Sequence, residues 1–144
     1  MEKEIDPRMH TAEHILNRTM VRMFGCGRCF SAHIEKKKSK CDYRFDRPLR
    51  DEEMKEIERT VNNIIEGDFP VTEEYLTREE AASHFALGRL PQDAGDRIRI
   101  IKVGDYDACP CAGLHVQSTG QLVAFRMISS SFENGVLRIR YKLS

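Results

Sequence analysis

Two histidines stand four residues apart in Arg8-Met9-His10-Thr11-Ala12-Glu13-His14, and a cysteine and a histidine stand four apart in Cys111-Ala112-Gly113-Leu114-His115. The two pairs form a split HxxxH…CxxxH set, which offers the mixture of imidazole and thiolate ligands that zinc takes. On a helix, that spacing puts His10 and His14 on one face, one turn apart. The small residues Ala112 and Gly113 let the chain turn so that a thiolate and an imidazole converge. Either pair alone is weak evidence, because such histidine pairs also arise on solvated helix faces. Together they make His10, His14, Cys111 and His115 the expected ligands of a Zn2+ ion.

Other reactive residues compete with this set. With Glu13 the first motif reads H-x-x-E-H, a pattern some zinc peptidases use with the glutamate as general base. Those enzymes are much larger and take a carboxylate as third ligand, so Glu13 is placed on the next face of the helix, solvated or orienting a ligand. Cys26-Gly27-Arg28-Cys29 has CxxC spacing but no second CxxC, and it reads as a turn after the first helix. Cys109 lies close to the metal pair and is expected to line the pocket. Ser31, His33 and Ser39 are further pocket candidates, His33 on a strand that could face the same site. Cys41 alternates with Tyr43 and Phe45 as core or wall, and His84 caps or packs a short helix. Lys36, Lys37, Lys38 and Lys40 could contact phosphates. Arg138, Arg140 and Lys142 alternate along a strand and read first as its wet face.

The elements that must position these groups follow from periodicity. Asp6 and Pro7 are a helix N-cap and first position. Met9, Ala12, Leu16, Met20 and Met23 make a buried stripe, and Gly25 stops the helix. Strand-like stretches Cys29–Glu35 and Lys40–Asp46 flank the lysine turn. A second helix runs from about Asp51 to Glu66, with Met54, Ile57, Val61, Ile64 and Ile65 as its apolar face and Gly67 as C-cap. Pro70–Leu76 is a strand. Thr77-Arg78-Glu79-Glu80 is a capping box that opens a short helix to about Phe85. Leu87–Asp96 is a loop. Strands Arg97–Val103, Gln121–Phe132 and Val136–Leu143 close the chain, the last two joined by the tight-turn pair Asn134-Gly135. The expectation is an α+β fold, a mostly antiparallel sheet packed by two main helices, with zinc held between the first helix and a C-terminal strand and turn.

Composition narrows the class. At 144 residues the chain is expected to be one domain, residues 1–144. Formal net charge is zero, so nucleic-acid binding would need a local patch. No apolar run approaches the roughly 20 residues of a membrane span, and Met1-Glu2-Lys3-Glu4 is followed by no signal-peptide core. A cytoplasmic location without membrane partners is the expectation. The five cysteines are then expected to be mostly reduced.

The ordered motifs resemble those of the AlaX group, the free-standing trans-editing domains related to alanyl-tRNA synthetase. His10-Thr11-Ala12-Glu13-His14-Ile15-Leu16 is similar to that family's HxxxH helix, and Tyr43-Arg44-Phe45-Asp46 to its R-F-D strand. Glu56-Ile57-Glu58 with Val61-Asn62 is similar to the I-E…V-N of the next helix. Ile98–Gly104 resembles the strand before the cysteine motif. Cys111-Ala112-Gly113-Leu114-His115-Val116 and Ser118-Thr119-Gly120 resemble C-G-G-T-H-V with its T-G turn. Gly135-Val136-Leu137-Arg138-Ile139 resembles the closing strand. The resemblance covers nearly the whole chain. It implies zinc-dependent hydrolysis of the ester of a mischarged aminoacyl-tRNA, Ser-tRNA(Ala) first and Gly-tRNA(Ala) second, with zinc on His10, His14, Cys111 and His115 and the tRNA acceptor end as partner. Ala112 and Leu114 depart from the family pattern. Leu114 removes a hydroxyl expected beside the metal, which makes it a pocket candidate and leaves the amino-acid preference open. The threonyl-tRNA synthetase editing domain shares the metal-motif logic. Two alternatives stand beside this one. S-ribosylhomocysteine lyase is also a small zinc protein with an H-T-x-E-H helix and a cysteine ligand. A structural zinc module that only binds RNA is the other.

Overall fold

The computed structural model describes residues 6–85 and 96–144. The Met1–Glu4 stretch and all but the last residue of the expected Leu87–Asp96 loop lie outside the described residues. Helix α1 spans Pro7–Phe24. The Asp6 carboxylate accepts the Met9 N–H at 3.1 Å, and Gly25 ends the helix at φ +66°, where a side chain would be strained. Met9, Ala12, Leu16 and Met20 are buried as the stripe requires, and Met23 packs at its margin.

Strands β1 (Ser31–His33), β2 (Ser39–Arg44), β6 (Phe125–Glu133) and β7 (Val136–Leu143) form an antiparallel sheet in the order β1-β2-β7-β6. Asn134 and Gly135, both at positive φ, make the β6–β7 turn. The inner face carries Cys41, Tyr43, Leu137, Ile139 and Tyr141, all at most 2% exposed. It packs on α1 and on α2 (Asp51–Glu66), which buries Ile57, Val61 and Ile65. Each fully buried aliphatic side chain of this kind contributes about 1.5–3 kcal/mol.

A second antiparallel sheet holds β3 (Val71–Thr77), β4 (Arg97–Val103) and β5 (Asp107–Pro110) in sequence order. Its companion, α3 (Arg78–His84), opens on the Thr77/Glu80 capping box and buries Ala81 against Ile98 and Ile100. The α+β class holds, with strands divided between two sheets where one was expected. β5 was missed because Asp107–Pro110 is too short and too polar at its start for an alternating signal.

Gly67 is the C-cap of α2 as expected, at φ −68°, and the left-handed residue is the next one, Asp68. A Cβ on Gly67 would also collide with the Phe69 ring. The expected strand from Gln121 begins only at Phe125. Thr119–Leu122 curls into a 3-10 turn, since the Thr119 hydroxyl binds the Ile64 carbonyl and the Phe69 N–H. Arg8 also binds the carbonyls of Gln121, Leu122 and Ser144, which holds the turn against the start of α1.

Candidate metal centre

Helix α1 and the segment after β5 bring His10, His14, Cys111 and His115 together, their ligand atoms all within 4.8 Å of one another. The His10 and His115 rings stack at 4.2 Å, and His14 stands edge-on to both. The Cys111 sulfur lies 3.3 Å from His10 Nε2 and 3.5 Å from His115 Nε2.

The outward nitrogens of His10 and His115 are held by protein groups. His10 Nδ1 donates to the Leu114 carbonyl at 3.1 Å, which leaves Nε2 as the lone-pair nitrogen. His115 Nδ1 pairs with the Thr11 hydroxyl at 2.9 Å. The His14 ring nitrogen Nδ1 is buried with no hydrogen-bond partner among the described residues, and Asp107 Oδ2 lies 3.7 Å away. That separation is too long for a hydrogen bond but close enough for electrostatic pairing. Asp107 is itself held by Arg18 at 2.9 Å and by a two-point contact with Arg28 at 2.7 and 3.2 Å. Imidazoles fixed through one nitrogen with the other turned to a common point are the usual environment of metal-ligating histidines.

Electrostatics follow this arrangement. Burial opposes charge on His14, yet Asp107 and Cys111 outweigh it and raise its pKa to about 9. Burial also opposes a Cys111 thiolate, but the neighbouring His10, His115 and His14 imidazoles bring its pKa down to about 3. His115 is lowered to about 4, first by burial and then by the other two imidazoles, against the pull of Cys111. Burial works against the Asp107 carboxylate, but His14 and the Arg28 guanidinium hold it well below the usual range. The set thus offers one thiolate sulfur beside three imidazoles. This is the donor chemistry of a soft or borderline divalent cation, and these four groups could bind one.

The approach of the two segments is tight. A Cβ on Gly113 would collide with the His10 imidazole, so the glycine is needed for contact with α1. Arg99 on β4 donates to the carbonyls of Cys111 at 3.2 Å and Gly113 at 2.7 Å, and the Cys111 N–H donates back to the Arg99 carbonyl. The Val116 N–H donates to the Thr11 hydroxyl.

The remaining candidates scatter. Cys109 is half-buried on β5, outside the four-residue set, and burial pushes its thiol up to about 11. The Leu114 side chain is 59% exposed, and its carbonyl is the part that touches His10. Ser31 and His33 pair with Asp42 and Lys40 on the sheet face turned away from α1, because Ala32 and Cys41 take the inner positions. Ser39 is buried opposite Tyr141 on the inner face, and its hydroxyl is bound to the N–H and carbonyl of Glu35. Lys36, Lys37 and Lys38 are exposed on that turn, and Lys40 is half-buried beside it.

Glu13, expected to be solvated or to orient a ligand, is not solvated. It is 5% exposed, and it gathers with Cys29 and Cys41 inside the protein. Sequence reasoning missed Asp107, Arg18, Arg28 and Arg99 as supports of the site. Arg18 follows His14 by one more four-residue step on α1, a signal the sequence did offer, whereas Arg28, Arg99 and Asp107 come from the loop after α1, from β4 and from β5, and no local pattern links them. Thr11 was visible only as the residue after His10, with no sign that its hydroxyl turns inward.

The comparisons with known proteins point one way. Residues 98–140 match the family described as the threonyl and alanyl tRNA synthetase second additional domain. The chain is similar to alanine–tRNA ligase of Treponema denticola, 33% identical over 139 residues, covering 91% of this chain and 22% of that protein. It is 34% identical over 132 residues to the Caldicellulosiruptor saccharolyticus enzyme, covering 90% and 15%. With the Methanopyrus kandleri enzyme the identity is 30% over 145 residues, covering 93% and 15%. The chain therefore spans less than a quarter of the length of these curated relatives.

Proposed function

Because the chain belongs to the editing-domain family related to alanyl-tRNA synthetase, we propose that residues 1–144 form one editing-type domain that hydrolyses mischarged aminoacyl-tRNA in trans, in the cytoplasm. The proposed substrate is Ser-tRNA(Ala), with Gly-tRNA(Ala) second, and the proposed cofactor is Zn2+ on His10, His14, Cys111 and His115. The family membership implies a role related to tRNA editing. Action without an attached synthetase is carried by the resemblance to free-standing members. The described residues contain no helix long and apolar enough to cross a membrane.

The convergence of four ligand atoms from segments a hundred residues apart carries the reading. Bound there, zinc supplies Lewis acidity, able to polarise an ester carbonyl or lower the pKa of a water to about 7. The protein's own groups do the rest. The Leu114 carbonyl and the Thr11 hydroxyl orient His10 and His115, and the Arg18–Asp107–Arg28 network faces His14. Lys36, Lys37, Lys38 and Lys40 are proposed to meet phosphates near the acceptor end.

The closed set of four protein ligands favours a second reading, a structural zinc module that binds RNA without hydrolysis, since catalytic zinc sites usually keep a position open. One experiment separates these readings. The purified protein, with its metal content measured, is incubated with Ser-tRNA(Ala), Gly-tRNA(Ala), Ala-tRNA(Ala) and S-ribosylhomocysteine. Deacylation of the mischarged species, lost together with zinc in His10→Ala and Cys111→Ala, is expected. Deacylation at full rate after zinc is gone would sink the catalytic-site reading. Stoichiometric zinc with no hydrolysis would favour the structural module.

A further inference from the structure

The outer face of the four-stranded sheet is a separate feature of the molecule. The register places Lys40, Arg44, Arg126, Arg138, Arg140 and Lys142 on it, alongside the two carboxylates Asp42 and Glu133. Most inner-facing alternates on these strands are apolar core residues, with Ser39 and Ser130 the polar ones, and despite a bulge between Met127 and Ser129 the charged residues share the outer face. In a chain of zero net charge, cations are thus gathered on one face.

They are also gathered toward one end of it. Asp42 takes both arms of the Arg138 guanidinium at 2.8 and 3.0 Å, and Arg44 lies over the Phe30 ring at 4.0 Å. Among the described residues, no two-point carboxylate contact of this kind holds the other four, and Arg140 and Arg126 donate instead to the hydroxyls of Ser129 and Ser144. Lys40 stands directly opposite Arg140, and Arg126 directly opposite Lys142, so the four occupy neighbouring rungs of three adjacent strands. Lys38 and His33 extend the row along a groove shared with Lys40, Arg140, Ser39 and one carboxylate, Glu35.

This is the end of the sheet nearest the metal cluster. Ser39 pairs with Tyr141, whose hydroxyl donates to the carbonyl of Met9, one residue before His10. Arg8 binds the Ser144 carbonyl just beyond β7. The geometry points to a docking surface for the sugar–phosphate backbone of the tRNA, made by Lys40, Arg126, Arg140 and Lys142, from which the strand passes over the sheet edge toward His10. Charge complementarity selects a polyanion, and the nearness of the row to the His/Cys cluster selects the polyanion whose end is to be processed there. Such contacts position without reading sequence. The inference rests on the aminoacyl-tRNA reading above.

The test uses the whole zinc-loaded protein and uncharged tRNA(Ala), measured by fluorescence anisotropy across a salt series. Arg140→Glu with Lys142→Glu is expected to weaken binding about tenfold or more and to flatten the log–log salt slope by about 2. Lys55→Glu with Lys102→Glu, which lie off this face, is expected to bind as wild type. Zinc content and thermal midpoint report folding, and Arg140→Gln with Lys142→Gln replaces the reversal if it does not fold. Unchanged binding in the sheet-face variant, or equal loss in both variants, overturns the surface. So does selective loss of binding to phosphatidylserine-containing vesicles with tRNA binding intact. Wild-type deacylation, measured alongside, keeps the two questions apart. If the wild type hydrolyses mischarged tRNA while the sheet-face variant binds normally, only the surface fails. If the wild type neither binds nor hydrolyses tRNA, the functional reading falls and takes the surface with it.

Discussion

At the residue scale, the chemistry rests on contacts that a motif does not display. Gly113 stands where the His10 ring needs empty space. Gly113→Ala is expected to displace that ring and weaken zinc binding by about tenfold or more, checked by metal content after dialysis against a competing chelator. A variant that retains zinc like wild type would remove the close approach from the account. Asp107 is the second such residue. Asp107→Asn keeps its shape but removes the charge that faces His14 and pairs with Arg18 and Arg28. Zinc affinity should fall by about 10–100-fold, whereas Asp42→Asn, whose partner Arg138 lies on the far sheet face, should leave affinity unchanged. Equal zinc affinity in the two variants would count against an orienting role for Asp107. The four ligand candidates were legible as residue types at a spacing. The outer-face position of Ser31 and His33 was not legible, because strand parity decides the face a side chain takes, and parity becomes certain only when the partner strand is known.

At the element scale, agreement was closest where a cap and a periodic stripe coincide. Helix α1 runs from Pro7 to Phe24, between Asp6 and Gly25, and α2 runs from Asp51 to Glu66. Both boundaries of each are local events, so local sequence suffices. The start of α2 also carries a pH dependence. Glu53 accepts both arms of Arg47 and the Arg50 N–H, and these hold its pKa down from the ordinary 4.5 to about 2. A depressed carboxylate stabilises the fold fully above pH 4.5 and loses that contribution as pH falls toward 2. The site is at the surface, so solvent screening limits the effect to about 1 kcal/mol. Glu53→Gln should therefore lower the thermal midpoint at pH 7 and lower it less at pH 3.5. A gap between the two proteins that is as large at pH 3.5 as at pH 7 would assign the effect to something other than this charge. β5 and the Thr119–Leu122 turn were not legible, because their backbone partners lie on β4, α2 and α1, and no pattern inside the segments encodes those partners.

At the scale of the whole molecule, the proposed metal joins α1 to the segment after β5 across about a hundred residues. Any ion that binds only the folded form stabilises it by mass action, by about 2.7 kcal/mol at a free concentration of about 100 times Kd. Zinc added to metal-free protein is expected to raise the thermal midpoint in a concentration-dependent way, and Cys111→Ser should abolish that dependence. A midpoint insensitive to zinc in the wild type would argue against a structural contribution from the site. The sequence by itself determined the helices, most strands, the α+β class and the four residues able to take a metal, because caps, periodicity and ligand spacing are short-range properties. Tertiary structure alone decided the division into two sheets, the Asp107–arginine network facing His14, the inward turn of Glu13 and the gathering of cations on one sheet face. Each of these depends on which distant segments become neighbours, and that is set by the burial of the apolar faces of both sheets and of α1 and α2 together.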